Sequence, residues 1–151
     1  MRGRVIYLDS SAIVKRYISE PGSDYVKSIY LSSYTGNIKL AFNIWNVGEV
    51  LGVIDRARMR KLITDDEYRI AKLRFLRETL RLSRLGILTL IPIKFPILRD
   101  AWAMIEKHHI YQADAIQVVS ARFVNADEVV TADERLYQVL IDEGLKARYL
   151  G

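Results

Sequence analysis

Apolar positions fall along the chain in two alternating rhythms. Val5-Ile6-Tyr7-Leu8 is an unbroken apolar run that stops at Asp9-Ser10-Ser11. A short run without polar alternation predicts a strand buried on both faces, as in a parallel sheet. A helical pattern follows over residues 12–17 and breaks at Pro21-Gly22-Ser23. Ser23 or Asp24 is the expected cap of a second helix carrying Val26, Ile29, Tyr30 and Ser33. Thr35-Gly36-Asn37 turns the chain into a second strand over 39–42, followed by a helix over 43–57 and a longer one over 64–85. Thr64-Asp65-Asp66-Glu67 has the spacing of a capping box, and Gly86 suits a helix stop. A third strand spans Leu88–Ile91 and is closed by Pro92; Pro96 then opens a helix with Leu98, Ala101, Trp102 and Ile105. A helix over 113–123, a strand over Glu128–Thr131, a helix over 134–143 and a short edge strand over 147–150 complete the pattern. Strands alternating with helices, without repeat or linker, predict one domain over residues 1–151: an α/β layer sandwich around a mostly parallel sheet.

Composition narrows the chemistry. The absence of Cys removes disulfide scaffolds, thiolate zinc sites and cysteine nucleophiles. His108 and His109 are neighbours and cannot face each other on a helix, which argues against a His-rich zinc site and a His-pair ribonuclease. They read as a helix end, where partial positive charge suits the dipole. No apolar run has the length of a membrane span, and the four apolar residues before Asp9 are too few for a signal-peptide core. A soluble cytoplasmic protein is the expectation. The net charge of +5 permits an acidic partner such as nucleic acid.

In an open parallel sheet, ligands bind beyond the carboxyl ends of the strands. Asp9 directly follows the first strand, and Asp133 stands two residues after Thr131. Glu49 and Asp114 occur on helices among apolar neighbours, in Trp45-Asn46-Val47-Gly48-Glu49-Val50-Leu51 and Tyr111-Gln112-Ala113-Asp114-Ala115-Ile116. Carboxylates are rarely buried without compensation. Taken singly, Asp9, Asp114 and Asp133 also read as helix caps, and Glu49 as the partner of an Arg at a subunit contact. Taken together, converging carboxylates repel, and a hard divalent cation, Mg²⁺ or Mn²⁺, resolves that conflict.

These residues carry a family likeness. The chain resembles the PIN-domain ribonucleases and, among them, the VapC toxins of toxin–antitoxin pairs. The likeness runs nearly end to end. It rests on Leu8-Asp9-Ser10-Ser11-Ala12-Ile13-Val14-Lys15-Arg16-Tyr17, on Glu49, on Arg99-Asp100-Ala101-Trp102 before Tyr111-Gln112-Ala113-Asp114-Ala115-Ile116-Gln117, and on Thr131-Ala132-Asp133-Glu134-Arg135-Leu136. The resemblance implies a three-layer α/β/α sandwich and an acidic pocket that binds Mg²⁺ or Mn²⁺ and hydrolyses RNA phosphodiesters. It implies Asp9, Glu49, Asp114 and Asp133 as metal ligands and Thr131 as a residue that holds the site, with a hydroxyl or backbone role for Ser10 or Ser11. Asn46 departs from the pattern, since many relatives carry a small hydroxyl residue there. The chemistry expected is attack by metal-activated water, leaving a 5′-phosphate and a 3′-hydroxyl. The resemblance also implies a cognate antitoxin and a homodimer. The alternatives are a PIN nuclease of RNA processing or quality control and a catalytically silent RNA- or protein-binding module. The intact acid set speaks against silence. A haloacid-type phosphatase would need a second Asp two residues after Asp9, and a receiver domain would need paired acids and a later Lys; neither pattern is present.

Basic residues offer candidates for substrate or partner electrostatics. Lys15 and Arg16 follow Asp9 within two helical turns and come first. Arg74, Arg77, Arg81 and Arg84 are spaced 3, 4 and 3 and share one stripe of the long helix, beside a stripe of Leu73, Leu76 and Leu80. The stripe reads either as a phosphate-contacting face or as a solvated face beside the core face. Trp45, Trp102 and Phe75 read as packing or subunit-contact residues rather than base-stacking platforms.

Overall fold

The computed structural model describes residues 3–151; Met1 and Arg2, the start of the segment read against a signal peptide, lie outside the described residues. Five strands are present there: β1 Arg4–Leu8, β2 Ile38–Asn43, β3 Leu88–Ile91, β4 Glu128–Thr131 and β5 Ala147–Tyr149. The helices are α1 Ser10–Ile13, α2 Ser23–Tyr34, α3 Trp45–Met59, α4 Asp65–Arg84, α5 Phe95–His108, α6 Gln112–Phe123 and α7 Glu134–Asp142, and a 3₁₀ turn over Val14–Arg16 extends α1. The strands form one sheet in the order β3-β2-β1-β4-β5. Every pairing is parallel, with Ile6 opposite Leu40 and Leu8 opposite Val130.

Burial explains why the strands read as unbroken apolar runs. Ile6, Tyr7 and Leu8 are buried in succession, and so are all the residues of β4. Successive side chains point to opposite faces, so both faces of the sheet are covered by helices. The result is a three-layer α/β/α sandwich. Its central strand is β1, flanked by β2 and β4. The chain leaves β1 for β2 on one side and returns later to place β4 on the other. That reversal opens a crevice at the carboxyl ends of β1 and β4, where open parallel sheets place ligands.

Several local expectations are refined. The helix after β1 is one α-turn that tightens to 3₁₀, not a continuous helix over 12–17. Gly22, at φ 93°, is the residue before α2, and Ser23 Oγ donates to the Ile18 carbonyl rather than capping the helix. Asn43 ends β2 and its Oδ1 accepts from the Trp45 N–H at 2.7 Å, so α3 starts later than expected. The Thr64–Glu67 capping box is formed in both directions. On α4 the core face is Ala71, Phe75, Thr79 and Leu82. Leu73, Leu76 and Leu80, the stripe read as the core face beside the arginines, are 48%, 36% and 50% exposed and lie outside it. Trp45 and Trp102 are likewise half-exposed, whereas Phe75 is buried.

Two carboxylates, Glu78, which is buried, and Glu143, which is partly buried, tie helices together. Glu78 of α4 accepts from Arg16 Nε and Nη2 at 3.0 and 3.1 Å, from Tyr17 Oη at 2.9 Å and from Tyr34 Oη at 2.7 Å. Burial works against its charge, but these bonds hold its carboxyl below the ordinary range. Glu143 accepts from Lys107 and Arg122, each at 2.7 Å, and lies 2.6 Å from His108 Nε2. Bonds to Lys107, His108 and Arg122 hold its carboxyl down at about 2. Lys107 and His108 thereby tie the last turn of α5 to the end of α7.

Candidate active site

Asp9 is placed by the end of β1 and the start of α1. Its Oδ1 caps α1, accepting from the Ala12 N–H at 2.9 Å, and takes a second bond from Ser11 Oγ at 2.7 Å. Its Oδ2 accepts from Thr131 Oγ1 at 2.6 Å. A carboxylate oxygen carries two lone pairs, so Oδ2 keeps one free direction. The same two hydroxyls secure the β4 side: the Ala132 N–H donates to Ser11 Oγ at 2.8 Å, and the Asp133 N–H to Thr131 Oγ1 at 3.0 Å. Asp133 caps α7 through Oδ1, which accepts from the Leu136 N–H at 3.1 Å, leaving Oδ2 unused. The cap reading and the site reading of Asp9 and Asp133 are therefore compatible, because one oxygen serves each cap. Asp114 lies in the first turn of α6 and is not its cap; Tyr111 holds that position.

Glu49 comes from the other side of the crevice, on α3. Ser10 Oγ donates to its Oε1 at 2.7 Å, and Asn46 Nδ2 donates to Ser10 Oγ at 2.8 Å. Behind this pair lies a buried polar network. Asn46 Nδ2 also reaches Gln117 Oε1 at 3.0 Å, Asn46 Oδ1 accepts from the Asn43 N–H at 2.9 Å, and Tyr7 Oη donates to Gln117 Oε1 at 2.6 Å. Asn43 Nδ2 in turn donates to Ser120 Oγ at 2.9 Å. Buried polar groups persist where they are satisfied. These bonds run from β1, β2 and α6 to the base of Glu49.

Asp9, Glu49, Asp114 and Asp133 all line one cavity of about 410 Å³, together with Ser10, Ser11, Gln117 and Arg56. Burial pushes the Asp9 carboxyl up to about 6, against the bonds from Thr131, Ser11 and Ala12 and with a further push from Asp133. Burial also raises Asp114 to about 6, helped by the charges of Asp133 and Glu49 and opposed by Arg135. Raised acids in a cleft are a frequent mark of a functional site.

Among the described residues, no three Asp, Glu or His side chains stand close enough together to chelate one ion as they are placed. The donor set nonetheless suits a hard cation: carboxylate oxygens on one cavity, with Asp9 and Asp114 held high by burial and by the charges of Asp133 and, for Asp114, Glu49. Asp9, held by its three hydrogen bonds, is the most firmly positioned member of the set.

The sequence of residues 6–140 matches the family model of the PIN domain. The chain belongs to the PIN-domain family. No curated protein matches it in sequence. Solved structures resemble it in fold. The Mycobacterium tuberculosis toxin VapC20, described as cleaving the sarcin–ricin loop, is 13% identical with a TM-score of 0.64, over 88% of this chain and 93% of that one. VapBC2 of Rickettsia felis, solved with a DNA fragment of its promoter, is 15% identical with a TM-score of 0.64, over 97% of this chain and 99% of that one. FitAcB of Neisseria gonorrhoeae is 17% identical with a TM-score of 0.60, over 94% and 95%. This PIN chain therefore shares its architecture with VapC toxins and VapBC complexes.

The basic residues are placed differently from expectation. Lys15 is buried and paired with Glu20 at 3.0 Å, and Arg16 is bound to Glu78; neither lines the acidic cavity. Arg74 lies over the Tyr17 ring, and Arg81 over Tyr34 and 3.7 Å from Glu78. Arg74, Arg77, Arg81 and Arg84 are exposed on α4, outside the cavity. The cation that does line it is Arg56, which sequence reasoning missed. Its signal was spacing: it follows Glu49 by two helical turns on the same face. The network of Tyr7, Asn43, Gln117 and Ser120 was also missed, because nothing in the sequence separates these residues from ordinary core and helix positions.

Proposed function

We propose that this PIN domain is a Mg²⁺- or Mn²⁺-dependent endoribonuclease and the toxin of a VapBC-type toxin–antitoxin pair, acting in the cytoplasm. The observation that carries the reading is the convergence of Asp9, Glu49, Asp114 and Asp133 on one cavity at the carboxyl ends of β1 and β4. The family and the fold of its structural neighbours support it. In this reading Asp9 and Asp114 hold the principal ion, and Glu49 ligates it or orients the attacking water. Asp133 holds a water or a second ion through its unused oxygen. Bound there, the cation supplies activation of water and neutralisation of charge on the phosphate.

The chain's own contribution is positional. Thr131 and Ser11 fix the Asp9 carboxylate, and Ser10 fixes Glu49 across the crevice. Attack leaves a 5′-phosphate and a 3′-hydroxyl. An antitoxin is the expected partner, and exposed Phe95, Trp102 and Phe123 on α5 and α6 supply apolar surface for a homodimer.

The test is cleavage of total tRNA and ribosomal RNA by wild type, Asp9→Asn and Asp114→Asn, each with Mg²⁺, Mn²⁺ or EDTA. Wild type cuts with metal and not with EDTA, and its products end in 5′-phosphates. Each variant falls by ~10²–10³-fold, since the metal's stabilisation of the transition state is worth several kcal/mol. Equal cutting by all three proteins, or none by wild type with either metal, transfers the function to a silent binding module.

A further inference from the structure

A groove of about 480 Å³ opens beside the acidic cavity, between the 3₁₀ turn with the loop before α2 and the facing side of α3 and α4. Val53 and Arg56 of α3 line both spaces, so the groove adjoins the cavity across Arg56. Its walls are polar and apolar in about equal measure, with Val14, Ile18, Ala57, Leu62 and Ile63 among the apolar residues. Its charges are unequal. Glu20 is neutralised by Lys15 at 3.0 Å, and Glu67 is engaged in the capping box, accepting from the Thr64 N–H at 2.9 Å. Arg56 and Arg60 are exposed and make no ion pair among the described residues. Two unpaired cations, Arg56 and Arg60, therefore stand in the groove against the one unpaired carboxylate of Glu67, although the neighbouring cavity is acidic.

The placement of Arg56 has a local cause. Helical side chains lean toward the helix N-terminus. The residue one turn before Arg56 is Gly52, and a Cβ there would stand 3.2 Å from Arg56 Nη1. The bare glycine lets the guanidinium lie back along α3, toward Glu49 on the same face.

We propose that this groove is the subsite for the RNA strand flanking the scissile phosphate, with Arg56 on the adjacent phosphate and the apolar residues of its walls receiving a nucleobase. The proposal rests on the reading of the acidic cavity as the cleavage site. An RNA strand is repelled by four carboxylates and needs a fixed cation beside them; a guanidinium forks onto phosphate oxygens. Single-stranded RNA presents splayed bases that fill apolar clefts. A protein segment is the other occupant such a groove admits. The free cations and the opening onto the cavity favour RNA.

The probe is a 5′-fluorescein-labelled single-stranded RNA 10-mer of mixed sequence. Its anisotropy is titrated with Asp9→Asn protein, which holds the strand uncut, in Mg²⁺ and over a range of KCl. Adding Arg56→Gln weakens binding ~10-fold, as loss of one charge-assisted contact does. It also lowers the slope of log K against log salt by ~0.7, the share of one phosphate on a single strand. Ala57→Glu, which sets a carboxylate in the groove wall, weakens binding more than the isosteric Ala57→Gln. Arg99→Gln removes the same charge from α5, outside both spaces, and leaves the slope unchanged. Thermal melts establish that each variant is folded. Unchanged affinity and salt slope in both Arg56→Gln and Ala57→Glu overturn the proposal and leave the groove to a protein segment; so does absence of any RNA binding by the parent. Wild type that binds RNA through Arg56 but cuts none with Mg²⁺ or Mn²⁺ overturns the cleavage reading and leaves the subsite standing.

Discussion

Two of the four cavity carboxylates, Asp9 and Asp114, stand near 6, and burial is the main cause for each. The sign of the consequence follows from linkage. A carboxyl whose pKa is higher in the folded state than in the unfolded chain binds more protons when folded, so its contribution is fully present below the unfolded value and is lost as pH rises through about 6. The metal-free protein therefore loses stability from these two groups between about pH 4 and 6. Melting temperatures in EDTA at pH 5 and 7 test this: the drop is smaller in Asp9→Asn than in wild type. Asn keeps the N-cap. An equal drop in both proteins contradicts the burial account of Asp9. Residue identity made the acids legible in the sequence, because each stands where a buried charge is otherwise unexplained. Lys15 and Arg16 were not legible in the same way. Their direction is set by partners, Glu20 and Glu78, and Glu78 lies on α4, far along the chain.

At the scale of elements, α3 joins the site to the core. Asn46 links the β2 end, Ser10 and Gln117 on one face of the helix, directly before Glu49. Asn46 brings an amide with donors and an acceptor to this position, and Gln117 and Tyr7 complete its bonding. Asn46→Ala leaves the buried Gln117 oxygen with one donor fewer and removes the acceptor of the Asn43 N–H. The expected cost is about 1–3 kcal/mol in urea unfolding, the range for unsatisfied buried groups. Cleavage falls as well, because Ser10 loses the bond that aims it at Glu49. Unchanged stability and activity would remove Asn46 from the support of Glu49. Capping boxes and Gly or Pro punctuation were legible because they are local, and the ends of α4 came out as read. The break of α1 into a 3₁₀ turn and the exposure of Leu73, Leu76 and Leu80 were not, since periodicity gives a helix face but not what covers it.

The whole molecule is a parallel sheet whose central strand presents Asp9 at the crevice between β1 and β4. Parallel pairing was legible from the apolar strands; the order β3-β2-β1-β4-β5 was not, because long-range pairing leaves no local mark. That order is what brings Asp9 and Thr131, 122 residues apart, within 2.6 Å. It also gathers carboxylates from the N-caps of α1 and α7 and from α3 and α6 onto one cavity. In the proposed reading this cavity is a divalent-cation site. Calorimetric titration of wild type and Asp9→Asn with Mn²⁺ at pH 7 tests it most directly. Wild type is expected to bind saturably, and Asp9→Asn to bind more weakly by roughly 10–100-fold or more, since even a residue that only supports a ligand costs that much. No binding by wild type, or equal binding by both proteins, would contradict it.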